Sequence, residues 1–410
     1  MDYKALKILQ ISIEVNSGSV GRIAEQIGQT VIESGWESYI TYARNNLPST
    51  SEVIRIGSSK DVYFHVLETR IFDNHAFGSV QATKSLIKKI DEINPDIIHL
   101  HHLHGYFINI EILFNYLAEK NKPIVWTFHD CWSFTGHCAY FEYVNCSKWI
   151  DGCYDCEQKK EYPKSLLFDR SKKNYIEKKA LFNSVKNMTI VPVSYWLGDL
   201  VKESFLKSYP IEVIQNGIDI DTFTPRLDYQ NIKDIYKISD AFIILGVAST
   251  WEPRKGLKYF IELDKILPEG YLIVIVGLTK SQQRDLPSSI VGIQRTESLS
   301  DLVGLYSMAD VFVNPTLEDT FPTTNLESLA CGTPVITFLT GGSVESVSED
   351  TGIVVPKGDT QLLLNAIVEI RNKTKSFYTH HCRATAIELY DKKLKFQEYI
   401  GLYKRLIDEK

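Results

Sequence analysis

The stretch from Asn314 to Glu345, NPTLEDTFPTTNLESLACGTPVITFLTGGSVE, restricts the architecture more than any other part of the chain. The apolar run Asp310 to Val313 leads into it and reads as a buried strand, ended by Asn314-Pro315. A helix should open near Pro322, because a first-turn residue has no intrahelical partner for its N–H anyway. Gly332 suits the stop, and Pro334 bars continuation. Val335 to Phe338 then reads as the next strand. In such a strand–loop–helix–strand unit the helix N-terminus lies just past a strand's carboxyl end. Unpaired N–H groups and partial positive charge collect there, which suits a phosphate. Asp319 in the loop and Glu327 in the helix flank that point, and Glu318 adjoins the first acid.

Other segments repeat the alternation. Leu6–Ile13 reads as a strand, EVNSGSVG (14–21) as a Gly/Ser loop and Arg22–Ser34 as a helix. Strands are expected at Trp36–Tyr42, Val53–Ile56, Asp96–Leu100, Ile124–Phe128 and Thr189–Val193 in the first half. Phe242–Ala248, Tyr271–Val276 and Ile290–Ile293 follow in the second. Between the halves, Asn216-Gly217 and Pro225 punctuate a hinge. The pattern is α/β: two doubly wound, Rossmann-like domains facing a cleft. The expected domains are residues 1–210, 211–390 and a last helix, 391–410, packing back on the first.

A net charge of −6 argues against bulk nucleic-acid binding. No apolar run approaches the roughly 18 residues of a membrane span. KALKILQISI reads as a first strand, not a signal peptide, so a cytoplasmic chain is expected. Lys159–Lys186 carries nine basic against three acidic residues with interleaved aromatics. It reads either as a basic amphipathic helical region that could touch an anionic membrane from the periphery, or as a solvated face over a core stripe.

Several side chains carry chemistry. Arg254 and Lys255 sit at a strand-to-helix turn, where fixed cations can stabilise a leaving diphosphate. His129 lies at a strand's carboxyl end, where ligands bind in open parallel sheets. The turn His101, His102, His104 invites a metal reading, which the context disfavours. Asp219-Ile220-Asp221 spells a metal signature, but inside the hinge. Cys138, Cys146, Cys153 and Cys156 form C-x7-C-x6-C-x2-C within a segment of about 131–156. That spacing admits a structural zinc, disulfides or free thiols.

Taken together, the spaced acids, Gly332-Thr333-Pro334-Val335, Gly341-Gly342 with Glu345, Lys255-Gly256 and the hinge NGID resemble glycosyltransferase family 4, of GT-B fold. The departure is Asp319 where the family has Glu. The cysteine cluster resembles a subgroup from bacterial capsule and exopolysaccharide (colanic-acid-type) pathways. The resemblance implies a retaining, metal-independent transferase that needs no catalytic cofactor. Its donor would be a UDP- or GDP-sugar and its acceptor a glycan or a polyprenyl-diphosphate-linked oligosaccharide. It implies that His129, Asp319 and Glu318 act at the sugar. Gly18, Ser19, Arg254, Lys255, Arg295, Thr323, Thr324, Asn325 and Glu327 would bind the donor, Glu327 through the ribose. A GT-B epimerase and a non-catalytic, zinc-stapled scaffold are the alternatives.

Overall fold

Both halves of the chain build the same sheet. In the computed structural model, which describes residues 5–408, the first sheet contains β1 (Lys7–Ile11), β2 (Glu37–Tyr42), β3 (Glu52–Arg55), β4 (Ile97–Leu100), β5 (Ile124–Phe128) and β6 (Met188–Pro192). All pairings are parallel and the order is β3-β2-β1-β4-β5-β6. The second contains β7 (Phe242–Val247), β8 (Tyr271–Val276), β9 (Val291–Ile293), β10 (Val311–Asn314), β11 (Val335–Phe338) and β12 (Gly352–Val355). Its order, β9-β8-β7-β10-β11-β12, is the same arrangement. Helices cover both faces of a doubly wound sheet, so its central strands have no polar side to show. IVWTF of β5 and VITF of β11 are accordingly buried throughout.

The chain divides into a first unit that runs to Gln215 and resumes at Phe396, and a second unit, Asn216–Lys395. The resumption has a physical cause. The last helix, Lys392–Asp408, places Phe396, Tyr399, Ile400, Leu402 and Tyr403 in one core with Ile8, Ile97, Val125 and Val191. Tyr403 Oη also lies 2.6 Å from His99 Nδ1 on β4, and Tyr399 Oη 3.1 Å from Thr127 Oγ1 on β5.

In each sheet the winding reverses once: between β1 and β4, and between β7 and β10. Connections leave in opposite directions there, and the carboxyl ends of the two strands frame a crevice. Most candidate residues gather at these two places; Arg295, after β9, and the four cysteines, in the long segment after β5, do not.

Three local expectations are corrected. The first helix begins at Gly18, not Arg22, so Gly18 and Ser19 are its first residues and not loop. In the basic stretch only Ser171–Phe182 is helical; Lys178 is buried within the fold, so the stretch is not a simple charged face. The helix Lys375–Tyr390 was unforeseen, because its core contacts, Tyr378, Cys382, Ala386 and Tyr390, recur every fourth residue among polar ones.

Candidate active site

The second unit's reversal point is built from the turns after β7 and β10. A short 3-10 turn, Pro253–Lys255, ends at Gly256. Gly256 has φ +80°, and a Cβ there would lie 2.1 Å from the carbonyl oxygen of Pro315, so only glycine permits this approach. Leu317 N–H donates to the Arg254 carbonyl at 2.7 Å, lacing the two turns together. The result sets Lys255 Nζ 2.5 Å from Asp319 Oδ2. Arg254 Nε meets Glu252 at 3.0 Å, and its Nη1 donates to the Glu318 carbonyl at 3.4 Å. Behind Asp319, Gly342 N–H donates to its carbonyl at 3.1 Å, so the glycine pair holds the acid's backbone. Glu318 and Asp319 are nearly buried, at 3% and 8% exposure, so ions here act through less water than surface ions do.

The helix Thr323–Ala330 starts immediately after Pro322, which caps it with no side-chain hydrogen bond. Thr323 and Thr324 therefore stand half-buried at the amino end, where backbone N–H groups lack helical partners. One turn on, Glu327 Oε2 accepts from the hydroxyl of Tyr306 at 2.8 Å. Tyr306 is fully buried; burial first, then the Glu327 charge, hold its hydroxyl well above the usual range, so it stays a donor.

Asn325 departs from expectation. It is fully buried, accepts from Asn314 Nδ2 at 2.9 Å and donates to Ser343 O and Ser346 Oγ, both at 3.1 Å. It fastens the helix to β10 and the glycine turn and presents no surface to a donor. Arg295 lies exposed after β9, the edge strand, two strands from β7.

The first unit's reversal point carries a different chemistry. Gly18 and Ser19 are exposed at the amino end of the helix Gly18–Glu33, beside Glu14. Glu14 accepts from Asn45 Nδ2 at 2.7 Å. After β4 and β5 come the histidines. His101 Nε2 lies 2.9 Å from Gln10 Oε1, and Gln10 Nε2 donates to Ala24 O, which fixes the amide's orientation. His101 must therefore carry its proton on Nε2 and accept at Nδ1, 3.3 Å from His129 Nε2. His129, expected to meet the sugar, thus commits its Nε2–H to His101. Burial, with the neighbouring His102 and His101, holds its pKa well below the ordinary imidazole value.

Asp130 was not singled out by sequence. Its Oδ2 lies 2.7 Å from His104 Nε2 and 3.3 Å from His102 Nε2, the latter not aligned as a hydrogen bond. Burial pushes its carboxyl up, but His104 and His102 outweigh that and hold it well below the usual range. His104 Nδ1 lies 2.9 Å from the hydroxyl of Tyr162. Among the described residues, one set of three potential cation ligands has its donor atoms all within 4.8 Å: His102, His104 and Asp130. His101 of the triplet faces elsewhere. Tyr306 and Asp130 escaped sequence reasoning because nothing local marks a partner 21 or 26 residues away. The only available signal was Asp130 following the histidine at a strand's end.

The two-sheet architecture agrees with the comparisons. The model described as "Glycosyltransferase Family 4" matches residues 20–222, and "Glycosyl transferases group 1" matches 228–373. The colanic acid biosynthesis glycosyl transferase WcaC of Escherichia coli (strain K12) is 22% identical over 98% of this chain and 100% of its own. An Escherichia coli UDP-Gal:alpha-D-GlcNAc-diphosphoundecaprenol alpha-1,3-galactosyltransferase is 27% identical over 45% of this chain and 51% of its own. The solved sucrose-phosphate synthase of Thermosynechococcus elongatus superposes with a TM-score of 0.72 at 16% identity, covering 98% of this chain and 99% of that one. The fold is therefore GT-B, and the chain belongs to glycosyltransferase family 4.

Proposed function

We propose that the chain is a retaining glycosyltransferase of bacterial surface polysaccharide synthesis, moving a sugar from a nucleotide sugar to a lipid-diphosphate-linked glycan. The observation that carries this is the Lys255–Asp319 pair, fixed where the second sheet reverses and beside the amino end of the helix Thr323–Ala330. Lys255, Arg254 and the amide groups of Thr323 and Thr324 receive the donor diphosphate, whose charge grows as it leaves. Asp319 and Glu318 orient the sugar, and Glu327 takes the ribose hydroxyls. The C1–phosphate bond breaks and the acceptor oxygen bonds to C1 on the same face. The acceptor's proton passes to the departing phosphate oxygen, so no divalent ion is needed. The galactosyltransferase relative takes UDP-Gal to a diphosphoundecaprenol-linked sugar, and a Campylobacter jejuni relative acts on a diphospho-undecaprenol-linked sugar, which supports the acceptor class.

The test is transfer in EDTA from a panel of UDP- and GDP-sugars, with the product's anomeric configuration read by NMR. Lys255→Ala should lower turnover by about 10²-fold or more, and Glu327→Ala should lower kcat/KM for the donor by a similar factor through KM. Wild-type-like rates in both variants would remove the donor site, and an inverted product would remove the retaining course.

A lipid-linked acceptor calls for a membrane-facing surface, and exposed apolar side chains of the first unit support such a reading. Tyr63, Phe64, Leu67 and Phe72 are exposed on the helix Ser59–Phe72. Leu166, Leu167 and Phe168 are exposed on the segment hydrogen-bonded to that helix's end, through Leu166 N–H to Arg70 O at 2.7 Å and a stacked Phe72–Phe168 pair. Exposed Lys60, Arg70, Lys160 and Lys164 belong to the same segments. The occupant proposed for this face is an anionic bilayer surface. Phe64→Asp with Leu167→Asp should abolish co-flotation with phosphatidylglycerol vesicles while leaving nucleotide binding intact; unchanged flotation would refute the assignment.

A further inference from the structure

Between β5 and the helix Ser171–Phe182 the first unit carries about forty residues with only two single 3-10 turns, Trp132–Phe134 and Glu142–Val144. A segment so poor in backbone pairing needs another source of order. Some comes from aromatic packing: Phe141 stacks on Trp149 at 5.1 Å, and Phe134 meets Trp149 edge-on at 5.3 Å. Beside this packing lies a group of cysteines. Cys138, Cys146, Cys153 and Cys156 line one cavity of about 20 Å³, room for a single atom-sized occupant. All four are thiols.

The surroundings are arranged for a thiolate cluster. Gly136 N–H donates to Cys153 Sγ at 3.1 Å. A Cβ on Gly136 would come within 2.7 Å of the Cys153 Cβ and 2.1 Å of the Ser171 carbonyl, so the amide reaches the sulfur only because residue 136 is glycine. Lys148 and His137 line the same cavity. Lys178, fully buried, reaches the carbonyls of Trp132 and Thr135 at 2.5 and 2.9 Å. His137 supplies an independent sign. Its Nδ1 lies 2.6 Å from Asp73 Oδ1, its side chain has no exposed surface, and its Nε2 has no hydrogen-bond partner. A fully buried imidazole nitrogen left unpaired is costly unless something meets it.

We propose that these four cysteines hold one structural zinc ion, with His137 Nε2 lying against the cluster. Binding releases four protons from the four thiols and leaves a tetrathiolate of net charge −2, balanced by Lys148 and Lys178. No three of the sulfurs yet lie within 4.8 Å of one another, whereas a Zn–S bond of about 2.3 Å sets sulfurs roughly 3.8 Å apart. The proposal therefore requires the side chains to rotate into the cavity they share. With four thiolates there is no open position, so the ion staples and does not catalyse. The stapled segment starts beside Asp130: Trp132 N–H donates to Asp130 Oδ1 at 2.9 Å, and Cys131 N–H to the Ala139 carbonyl at 3.0 Å. Zinc therefore fixes the turn that faces His102 and His104, and has no part in the second unit's donor site.

The whole chain, purified under reducing conditions without added metal, should carry about one zinc per molecule by mass spectrometry. Cobalt exchanged into it should show sulfur-to-metal charge-transfer absorption. Alkylation should spare the four cysteines until a chelator is added. Chelation should abolish transfer while nucleotide binding, read by calorimetry, persists; loss of both together would assign the failure to the donor site instead. Cys153→Ser should lose the metal, and His137→Gln and His102→Ala should keep it. Zinc-free protein whose thiols alkylate at once would overturn the proposal. So would a cobalt spectrum without thiolate bands, or metal lost in His102→Ala but retained in Cys153→Ser. Should Cys153→Ser fail to fold, the wild-type cobalt spectrum and alkylation pattern decide alone.

Discussion

A single hydroxyl sets the geometry of the acid proposed for the ribose. Tyr306 is enclosed on all sides and donates to Glu327 at 2.8 Å, so Tyr306→Phe removes one hydrogen bond and little packing. Stability should fall by about 1 kcal/mol. The donor KM should rise several-fold with kcat within about twofold, since the bond orients a group that grips substrate and transition state alike. In a Glu327→Ala background the same change should add nothing, because the two residues act as one unit. An equal KM effect with and without Glu327 would show that Tyr306 acts through packing. Glu327, Asp319 and Lys255 were legible in the sequence because each sits at a fixed step from a glycine or proline that shapes its turn. Tyr306, Asp130 and the pairing of His137 with Asp73 were not. Their importance lies in partners 21 or more residues away, and a buried tyrosine or histidine reads like any other core residue.

At the level of elements, strands were easiest to read. β5 and β11 are continuous apolar runs, and the turn after each is marked by His129-Asp130 or by the glycine pair Gly341-Gly342. Helices with a broad apolar stripe, such as Gly18–Glu33, were equally plain. Lys375–Tyr390 escaped because its stripe is one residue per turn, and the other failures share a cause: burial was not apolar or not one-sided. The helix Ser59–Phe72 buries His65 and Thr69 while exposing Tyr63 and Phe64, so its pattern runs against the usual inside–outside rule. Ser171–Phe182 buries Lys178, whose ammonium bonds two carbonyls and sits 3.4 Å from the Trp132 ring centre, so a residue that reads as surface is core. Asn325 shows the reverse confusion, a polar residue in a ligand-binding motif whose amide holds three elements together.

Taken as a whole, the molecule distributes its titratable groups unevenly between the units, and that asymmetry has a consequence for acid stability. Eight of the ten histidines, 65 to 137, fall in the first unit, and only His380 and His381 in the second. Desolvation depresses His99 to about 3 and His65 to about 4, and it also lowers His75, His101, His104 and His129. His99 is enclosed by His101, His129, Tyr399, Tyr403 and Thr127. Above pH 6.5 these imidazoles are neutral whether the unit is folded or not, so stability is flat. Below 6.5 the unfolded chain takes up protons that the folded unit refuses, and stability falls as pH falls, until each group reaches its own folded value. Each imidazole contributes a slope of about 1.4 kcal/mol per pH unit. Between pH 6.5 and 5, His99 and His65 alone remove about 3 kcal/mol, a sizeable share of the roughly 5–15 kcal/mol that holds a domain together. The first unit should therefore open near pH 5 while the second keeps its protection. Tryptophan fluorescence reports this selectively, since Trp251 is the one tryptophan of six in the second unit. Peptide-resolved hydrogen exchange at pH 7 and 5 locates the change. Simultaneous loss of protection in both units, or full protection of β4 and β5 at pH 4.5, would contradict the account of the buried histidines as neutral groups that folding keeps from protonating.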